Sequence, residues 1–258
     1  MAILLTEQRG SALILTLNRP EMMNALSSEL AVALQSAVQE ADRRSDVRAI
    51  VLTGAGDKAF CAGTDLKQRR TLSAEGKWAQ AQSLWEASQT LARSPKAIIA
   101  AIGGWCLGGG FVLALYSDLR IAADDARFGW PEMTLGAYPG AGAAIMLPRI
   151  VGRSRAKELF FTARRIDAQE AQAIGLVEKV VPRHLLVDTA LGYVDEINTT
   201  SPLGLAAVKQ SVCEGADLSL PEAGTLDQRL RRPLEATLDY EEGIRAHFEK
   251  RQPVFRGV

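Results

Sequence analysis

Residues 97–116, AIIAAIGGWCLGGGFVLALY, form a run of twenty residues without a formal charge. A run of this length is typical of a membrane-spanning helix. Five of the twenty are glycines, however, and each glycine in a helix interior costs roughly 1 kcal/mol relative to alanine. The stretch therefore predicts a buried strand at 97–102, a glycine turn and a buried helix at 111–116, and not a membrane span.

The same alternation of strands and helices extends in both directions from this stretch. Towards the amino terminus, the pattern predicts a hairpin of strands at 3–8 and 12–17, a helix capped by Ser27 or Ser28, a strand at 49–53, a glycine-punctuated loop at 54–63 and a helix at 78–91. Towards the carboxyl terminus, it predicts strands at 119–123 and 176–181, a loop region between Pro131 and Pro139, a helix at 143–150, and helices from Pro202 to His247. This order indicates an α/β fold with crossover connections. Because the predicted strands stop before Pro202, we expect a core at 1–200 and a helical region at 201–258.

The overall composition argues against several classes of partner. The 258 residues carry 30 Lys and Arg against 30 Asp and Glu, a formal net charge of zero. This balance removes the main electrostatic reason to expect binding to nucleic acid or to an anionic membrane. The three cysteines, Cys61, Cys106 and Cys213, are odd in number and far apart, which argues against a disulfide framework. Since no signal peptide is visible either, we expect a cytoplasmic protein.

Several common catalytic motifs do not occur in the sequence. The two histidines, His184 and His247, are too few for a histidine-rich metal site, so we expect no bound metal. The nucleophile-elbow motif Gly-x-Ser-x-Gly and the phosphate-binding motif Gly-x4-Gly-Lys-Ser/Thr are both missing. A dinucleotide-binding pattern begins at Gly54 but has Ala59 where its last glycine belongs. Other glycine-rich turns remain as the candidates for chemistry.

Two such turns each follow a buried strand and lead toward a helix. The first is FCAGTDLK at residues 60–67, and the second is GWCLGGG at residues 104–110. Glycine lets the backbone approach a ligand closely, and the first amides of a helix have no acceptor within the helix. Two such amides directed at one point form an oxyanion hole, which stabilises negative charge on a carbonyl oxygen. Tight turns that serve only packing are the alternative.

Further short segments accompany these turns along the chain. The whole set is Asn18-Arg19-Pro20 with Asn24-Ala25-Leu26, then the segments at 59–66 and 103–110, Phe128-Gly129-Trp130-Pro131-Glu132, Leu135-Gly136 with Pro139-Gly140-Ala141-Gly142, and Phe248-Glu249-Lys250-Arg251. In order and spacing, this set resembles the crotonase (enoyl-CoA hydratase/isomerase) superfamily over essentially the whole chain. The resemblance implies an α/β fold that is a crotonase-like spiral of ββα units, with a C-terminal helical trimerisation region. It also implies assembly as a homotrimer or a dimer of trimers.

The resemblance further implies an acyl-CoA thioester as the substrate, with no separate cofactor because coenzyme A is part of that substrate. The backbone amides of Thr64 and Gly109 would form the oxyanion hole. The residues that would line the CoA path are Ala62, Thr64, Asp65, Leu66 and Lys67. Lys250 would approach the CoA phosphates, although a plain surface role is the commoner one for a lone charge.

One position departs from the family pattern. Hydratases of this family use two glutamates around the substrate double bond, one placed two positions after the glycine triplet and one in the Phe-Gly-x-Pro-Glu segment. Here the second is Glu132 but the first position is Val112, which can neither activate water nor transfer a proton. A single carboxylate can still move a proton between two carbons of an enolisable thioester. We therefore expect Glu132 to be the acid/base of an isomerisation; a surface or capping carboxylate is the alternative.

The other candidate residues and reaction classes stay open at this point. Trp130 and Tyr138 either shape the acyl pocket or pack in the core, and the same holds for Trp85. Hydration, thioester hydrolysis and decarboxylation could use the same oxyanion hole. The other class of function is a non-catalytic CoA-ligand or RNA-binding protein. The neutral net charge argues against RNA binding, and the retained Glu132 argues against a non-catalytic protein. We expect an enoyl-CoA isomerase or hydratase.

Overall fold

The computed structural model describes residues 2–258, and strands and helices alternate along most of that range. The strands are β1 Leu4–Arg9, β2 Ala12–Leu17, β3 Ala49–Gly54, β4 Ala59–Cys61, β5 Ala97–Ile102, β6 Trp105–Leu107, β7 Leu119–Ala123, β8 Arg127–Gly129, β9 Ile166–Asp167 and β10 Lys179–Val181. The helices are α1 Ser28–Asp42, α2 Leu66–Thr71, α3 Ala74–Arg93, α4 Gly109–Leu115, α5 Ala143–Val151, α6 Arg153–Thr162, α7 Ala168–Ala173, α8 Leu186–Asn198, α9 Pro202–Gly215, α10 Leu220–Leu234 and α11 Leu238–Glu249. The α/β class expected from the sequence is confirmed.

The larger sheet has six strands in the order β1-β2-β3-β5-β7-β10. All neighbouring strands in it are parallel except the β1–β2 hairpin. Ile50 and Leu52 of β3 pack into one core, whereas Ala49 and Val51 pack into a second core that α8 helps to cover. Because both faces of the central strands are buried, these strands read in the sequence as unbroken apolar runs.

A second, smaller sheet has the order β4-β6-β8-β9. Three of the long strands each lead directly into one of its short strands: β3 into β4, β5 into β6, and β7 into β8. This unit of a long strand, a short strand and a following helix repeats along the chain, and it confirms the expected spiral of ββα units. Since β4, β6 and β8 run parallel, the segments that follow them emerge at the same edge of the small sheet. These segments carry Thr64, Gly109 and Glu132.

The structure corrects several details of the sequence-based assignment. The strands β4 and β6 lie where only a loop and a glycine turn were expected, because three-residue strands show no periodic pattern. The strand expected at 176–181 is confined to Lys179–Val181, and the helices α6, α7 and α8 were not expected. The strands therefore end well before Pro202. The division into 1–200 and 201–258 stays a prediction.

The carboxy-terminal part of the chain is helical, as expected. It is joined to the sheet by Lys209 of α9, whose Nζ donates to Oδ2 of Asp118 at 2.7 Å. Several large apolar side chains on α10 and α11 are nevertheless exposed, among them Leu220, Leu238 and Phe248. No helix in the range 2–258 is both long and apolar enough to cross a membrane.

Candidate active site

The turns after β4 and β6 lie against each other. Gly63 has a φ of +94°, and a Cβ atom at this position would lie 3.2 Å from the amide nitrogen of Gly109. A Cβ atom at position 109 would lie 3.5 Å from the amide nitrogen of Thr64. Glycine is therefore required at position 63 by the backbone conformation and by the close approach of the second turn. The two amides predicted from the sequence come side by side.

Neither of these amides donates to an acceptor within residues 2–258. Thr64 is held between two hydrogen bonds of Leu26, whose amide donates to the Gly63 carbonyl at 2.8 Å and whose carbonyl accepts from the Asp65 amide at 2.9 Å. Gly109 is the first residue of α4, where the amides have no acceptor within the helix. Two free and fixed N–H groups of this kind can bind an oxygen on which negative charge develops.

The amino-terminal segment around Asn24 fixes the first turn in place. Asn24 is fully buried, and its Nδ2 donates to the carbonyls of Ala55 at 2.9 Å and Ala59 at 2.7 Å. Arg19 donates to Oδ2 of Asp65 at 2.8 Å and thereby holds the start of α2. This part of the sequence motif thus positions the backbone of the site and does not line it.

Glu132 lies in the short 3-10 helix Pro131–Leu135 that follows β8. Its carboxyl group packs against the second turn, since a Cβ atom at Gly108 would lie 2.0 Å from Oε1. Gly108 also has a φ of +47°, so only glycine suits this position. The other carboxyl oxygen, Oε2, is buried and has no hydrogen-bond partner within residues 2–258. Burial raises the pKa of the Glu132 carboxyl, and a weaker backbone hydrogen bond opposes that rise.

The raised pKa makes the stability contribution of Glu132 depend on pH. A carboxyl whose pKa is higher in the folded chain than in the unfolded chain stabilises the fold below the unfolded pKa, and this contribution is lost as the pH rises through the folded pKa. We therefore expect the Tm of Glu132→Gln to rise relative to that of the wild type as the pH increases from the ordinary carboxyl value of 4.5 toward neutrality. Thermal unfolding of both proteins across this range measures the difference. A Tm difference between the two proteins that does not change with pH would contradict a raised pKa of the Glu132 carboxyl.

A cavity of about 130 Å³ lies where the three segments meet. Its wall is formed by Ala62, Thr64, Leu66, Arg69, Ala81, Leu84, Gly109, Val112, Trp130, Pro131, Glu132, Leu135, Ala137, Tyr138, Gly140 and Ala141. Since an apolar cavity of about 150 Å³ can hold a benzene molecule, this cavity has room for a short acyl chain. The free amides and the Glu132 carboxyl thus share one small cavity, and Val112 forms part of its wall.

The three tryptophan and tyrosine candidates have different surroundings. Trp130 is 1% exposed and stacks on Phe111 with ring centroids 4.6 Å apart, so it belongs to the core and to the cavity wall at once. Tyr138 is 76% exposed and lies at the rim of the cavity. Trp85 lines a separate cavity, where it meets Tyr116 edge to face.

The charged residues expected along the CoA path do not line this cavity. Oδ1 of Asp65 accepts from the amides of Lys67 at 3.0 Å and Gln68 at 3.1 Å and thereby caps α2. Because Oδ2 is paired with Arg19, both carboxylate oxygens of Asp65 have partners within the fold, and the place of Asp65 along the CoA path stays a prediction. Lys67 and Lys250 are exposed, and their contact with CoA stays a prediction.

The two buried cysteines near the site carry no nucleophilic chemistry. Burial raises the pKa of the Cys61 thiol to about 12, and it raises the pKa of Cys106 well above its ordinary value. A thiol attacks only as its thiolate. Both side chains therefore act as small core residues, as expected.

The sequence analysis missed the part of the cavity wall that comes from α2 and α3. Arg69 of α2 and Ala81 and Leu84 of α3 line the cavity. The helix α2 has only six residues, which is too short for a periodic signal. No pattern in the sequence could have shown that its last turn lines the same cavity as Glu132.

Comparisons with known proteins agree over the full length of the chain. A model of the family described as Enoyl-CoA hydratase/isomerase matches residues 7–258. The chain is 39% identical over 257 residues to YngF of Bacillus subtilis, covering 100% of this chain and 99% of that protein. It is 35% identical over 249 residues to the short-chain-enoyl-CoA hydratase of Clostridium acetobutylicum, covering 95% of this chain and 94% of that protein. The crystal structure of enoyl-CoA hydratase from Bacillus anthracis superposes with a TM-score of 0.97 at 37% identity and covers 100% of both chains.

Proposed function

Because the chain belongs to the enoyl-CoA hydratase/isomerase family, we propose that it isomerises an enoyl-CoA thioester with Glu132 as its single acid/base. The observation that carries this proposal is the shared cavity, which brings together the two free amides and the Glu132 carboxyl. Val112 lines it at the position where the family pattern has a second carboxyl. Family membership supports hydratase/isomerase activity in general. The preference for isomerisation and the roles of individual residues belong to the proposal.

The two amides act on the thioester carbonyl. In the proposed complex, the N–H groups of Thr64 and Gly109 donate to the carbonyl oxygen, which gains negative charge when a proton leaves the neighbouring carbon. Removing one oxyanion-hole donor from a hydrolytic enzyme costs about 2.7–4 kcal/mol of transition-state stabilisation, and we expect an effect of similar size here. Gly109 adds the start of a helix, where the backbone dipoles also favour an anion.

Glu132 then acts twice on the same acyl chain. Its carboxylate removes a proton from the α-carbon of a 3-enoyl thioester, and the electron pair of that C–H bond enters the conjugated enolate. The carboxylic acid so formed returns the proton to the γ-carbon, which moves the double bond to the 2-position. One residue supplies base and acid in turn, so no second carboxyl is required.

Val112 explains why isomerisation is favoured over hydration. Adding water to a double bond requires activation of the water and protonation of the α-carbon, and two carboxyl groups can share these tasks. Val112 is 2% exposed and lines the cavity with Glu132, so an apolar surface stands where a second carboxyl would act. The relatives named as hydratases support hydration as the second candidate, carried out by Glu132 alone at lower efficiency.

The proposal is tested with wild-type protein on but-3-enoyl-CoA and crotonyl-CoA, with products identified by mass and NMR. We expect conversion of the first ester to crotonyl-CoA to be faster than hydration of the second to 3-hydroxybutyryl-CoA. If the protein instead hydrolyses acyl-CoA thioesters or releases CO₂ from them, a function as a thioester hydrolase or a decarboxylase is supported. If the protein converts none of these acyl-CoA esters, a function as a non-catalytic CoA-ligand or RNA-binding protein gains support.

Replacing Val112 with glutamate is expected to shift the products toward hydration. The new carboxyl would lie in the first turn of α4, where the helix dipole favours an anion by about 0.3–1 kcal/mol, although burial would raise its pKa. We expect a higher ratio of 3-hydroxyacyl to isomerised product than for the wild type, even if the Tm falls. Val112→Gln is the control, because glutamine is similar in size to glutamate but carries no charge. An unchanged ratio in a folded glutamate variant would show that Val112 does not restrict the reaction.

The assembly and location of the protein also remain predictions. Exposed apolar side chains on α10 and α11, such as Leu220 and Phe248, support the expected homotrimer or dimer of trimers, since burying them would be favourable. A cytoplasmic location and the absence of nucleic-acid partners stay expectations from composition.

A further inference from the structure

Arg69 is the only Lys or Arg side chain among the residues that line the active-site cavity in the described range 2–258. It lies in the last turn of α2. Its Nη1 donates to the carbonyl of Lys77 at 3.1 Å and to Oε1 of Gln80 at 3.2 Å. Gln80 is itself buried and donates to Oε1 of Gln68 at 2.9 Å. The guanidinium is therefore held at a fixed place in the wall by neutral partners.

No acidic side chain of residues 2–258 forms an ion pair with Arg69. The remaining N–H groups, on Nε and Nη2, have no acceptor in the same range. A partly buried cation such as Arg69 suits an anionic partner, because the attraction between opposite charges is stronger away from bulk water. The planar guanidinium offers its N–H groups in a fork that matches the two oxygens of a carboxylate. An anionic group that enters the cavity would satisfy both requirements.

In the proposed function, the other functional groups of the cavity already act on the thioester end of the substrate. The amides of Thr64 and Gly109 face the thioester carbonyl, and Glu132 faces the carbons next to it. Arg69 is thus available to a part of the acyl group other than the reacting carbons. In a cavity of about 130 Å³, that part is the end of a short chain.

We propose that the substrate is a short acyl-CoA thioester whose acyl chain ends in a carboxylate, and that Arg69 binds this carboxylate. The inference rests on the proposed function, since it takes the thioester to lie at Thr64 and Gly109. It names a substrate class, the CoA monothioesters of short dicarboxylic acids. An apolar acyl chain of the same length would leave the guanidinium without an anion.

Binding of saturated CoA esters tests this inference without any turnover. Glutaryl-CoA and valeryl-CoA have acyl chains of equal length and differ by a terminal carboxylate against a methyl group. We expect isothermal titration to give a lower Kd for glutaryl-CoA with the wild type, and Arg69→Met to reduce this preference by about ten- to hundredfold, as is typical for hydrogen bonds to a charged group. Arg69→Lys keeps the charge but not the fork and should retain part of the preference.

Arg70→Met is the matched control, because Arg70 is the exposed neighbour on the same helix and does not line the cavity. It should leave the ratio of the two Kd values unchanged. Free CoA is titrated as well: a loss in Arg69→Met that is equal for CoA and both esters would place Arg69 at a CoA phosphate and overturn the inference. Equal Kd values for the two esters with wild-type protein would also overturn it, whether or not the variants fold.

The outcome is separable from that of the proposed function. A protein that prefers glutaryl-CoA but converts no enoyl-CoA ester would refute the proposed reaction and support the carboxylate site. A protein that converts enoyl-CoA esters but shows no preference for the carboxylate would refute the carboxylate site alone.

Discussion

Glu132→Gln is expected to lower the turnover of the preferred enoyl-CoA ester by about 10²–10⁴-fold, the range typical of general acid/base groups. Glutamine keeps the size of the side chain that packs against Gly108, but it cannot take up or release the proton. The Kd for a saturated ester should change little, because the two backbone amides remain. Steady-state kinetics and isothermal titration on the same preparation measure the two effects.

Met133→Gln is the control for this substitution. Met133 is the next residue of the same 3-10 helix and is 37% exposed, so its replacement tests whether any change in this helix lowers turnover. We expect near wild-type activity for Met133→Gln. Full turnover by a folded Glu132→Gln protein would remove Glu132 from the mechanism.

Gly109→Pro is expected to lower turnover by about 10²–10³-fold, because proline deletes one of the two donors to the thioester oxygen. Position 109 is the first residue of α4, where proline suits the backbone of a helix. The added side-chain atoms would meet Leu84 and Leu26, since a Cβ atom here would lie 2.9 Å from Cδ2 of Leu84 and 3.3 Å from Cδ1 of Leu26. Both contacts are with the ends of flexible side chains.

Gly109→Ala separates the lost donor from these contacts. Alanine places the same Cβ atom against Leu84 and Leu26 but keeps the N–H group. The ratio of turnover between the alanine and proline variants therefore reports the replacement of the N–H group by the proline ring, once circular dichroism and native mass have shown that both fold. Equal turnover of the two variants would show that Gly109 serves packing only.

The parts of this molecule that could be predicted from sequence are those with a strong local pattern. The uncharged run at 97–116 specified β5, the glycine turn and α4, because glycine is unfavourable in a helix interior. The two glycine turns suggested an oxyanion hole, and the family resemblance pointed to the amides of Thr64 and Gly109, which the structure places side by side. The family motif led to Glu132 and Val112, which share the cavity.

The parts that could not be predicted depend on long-range contacts. The strands β4 and β6 exist because they pair with each other across the fold, and three residues carry no periodic signal of their own. Asp65 is expected along the CoA path because of its place in the motif, but the motif did not show that its carboxylate also caps α2 and pairs with Arg19. Arg69 reaches the cavity only because α2 and α3 fold over it.

The central claim is that the cavity stabilises a thioester enolate while Glu132 moves the proton. The most direct measurement is exchange of the α-protons of butyryl-CoA in D₂O, followed by ¹H NMR, because a saturated ester can be neither hydrated nor isomerised and any exchange reports enolate formation alone. We predict exchange with wild-type protein, and strongly reduced exchange with Glu132→Gln and with Gly109→Pro. Exchange by Glu132→Gln at the wild-type rate would contradict the account, as would an absence of exchange in a wild-type protein that converts enoyl-CoA esters.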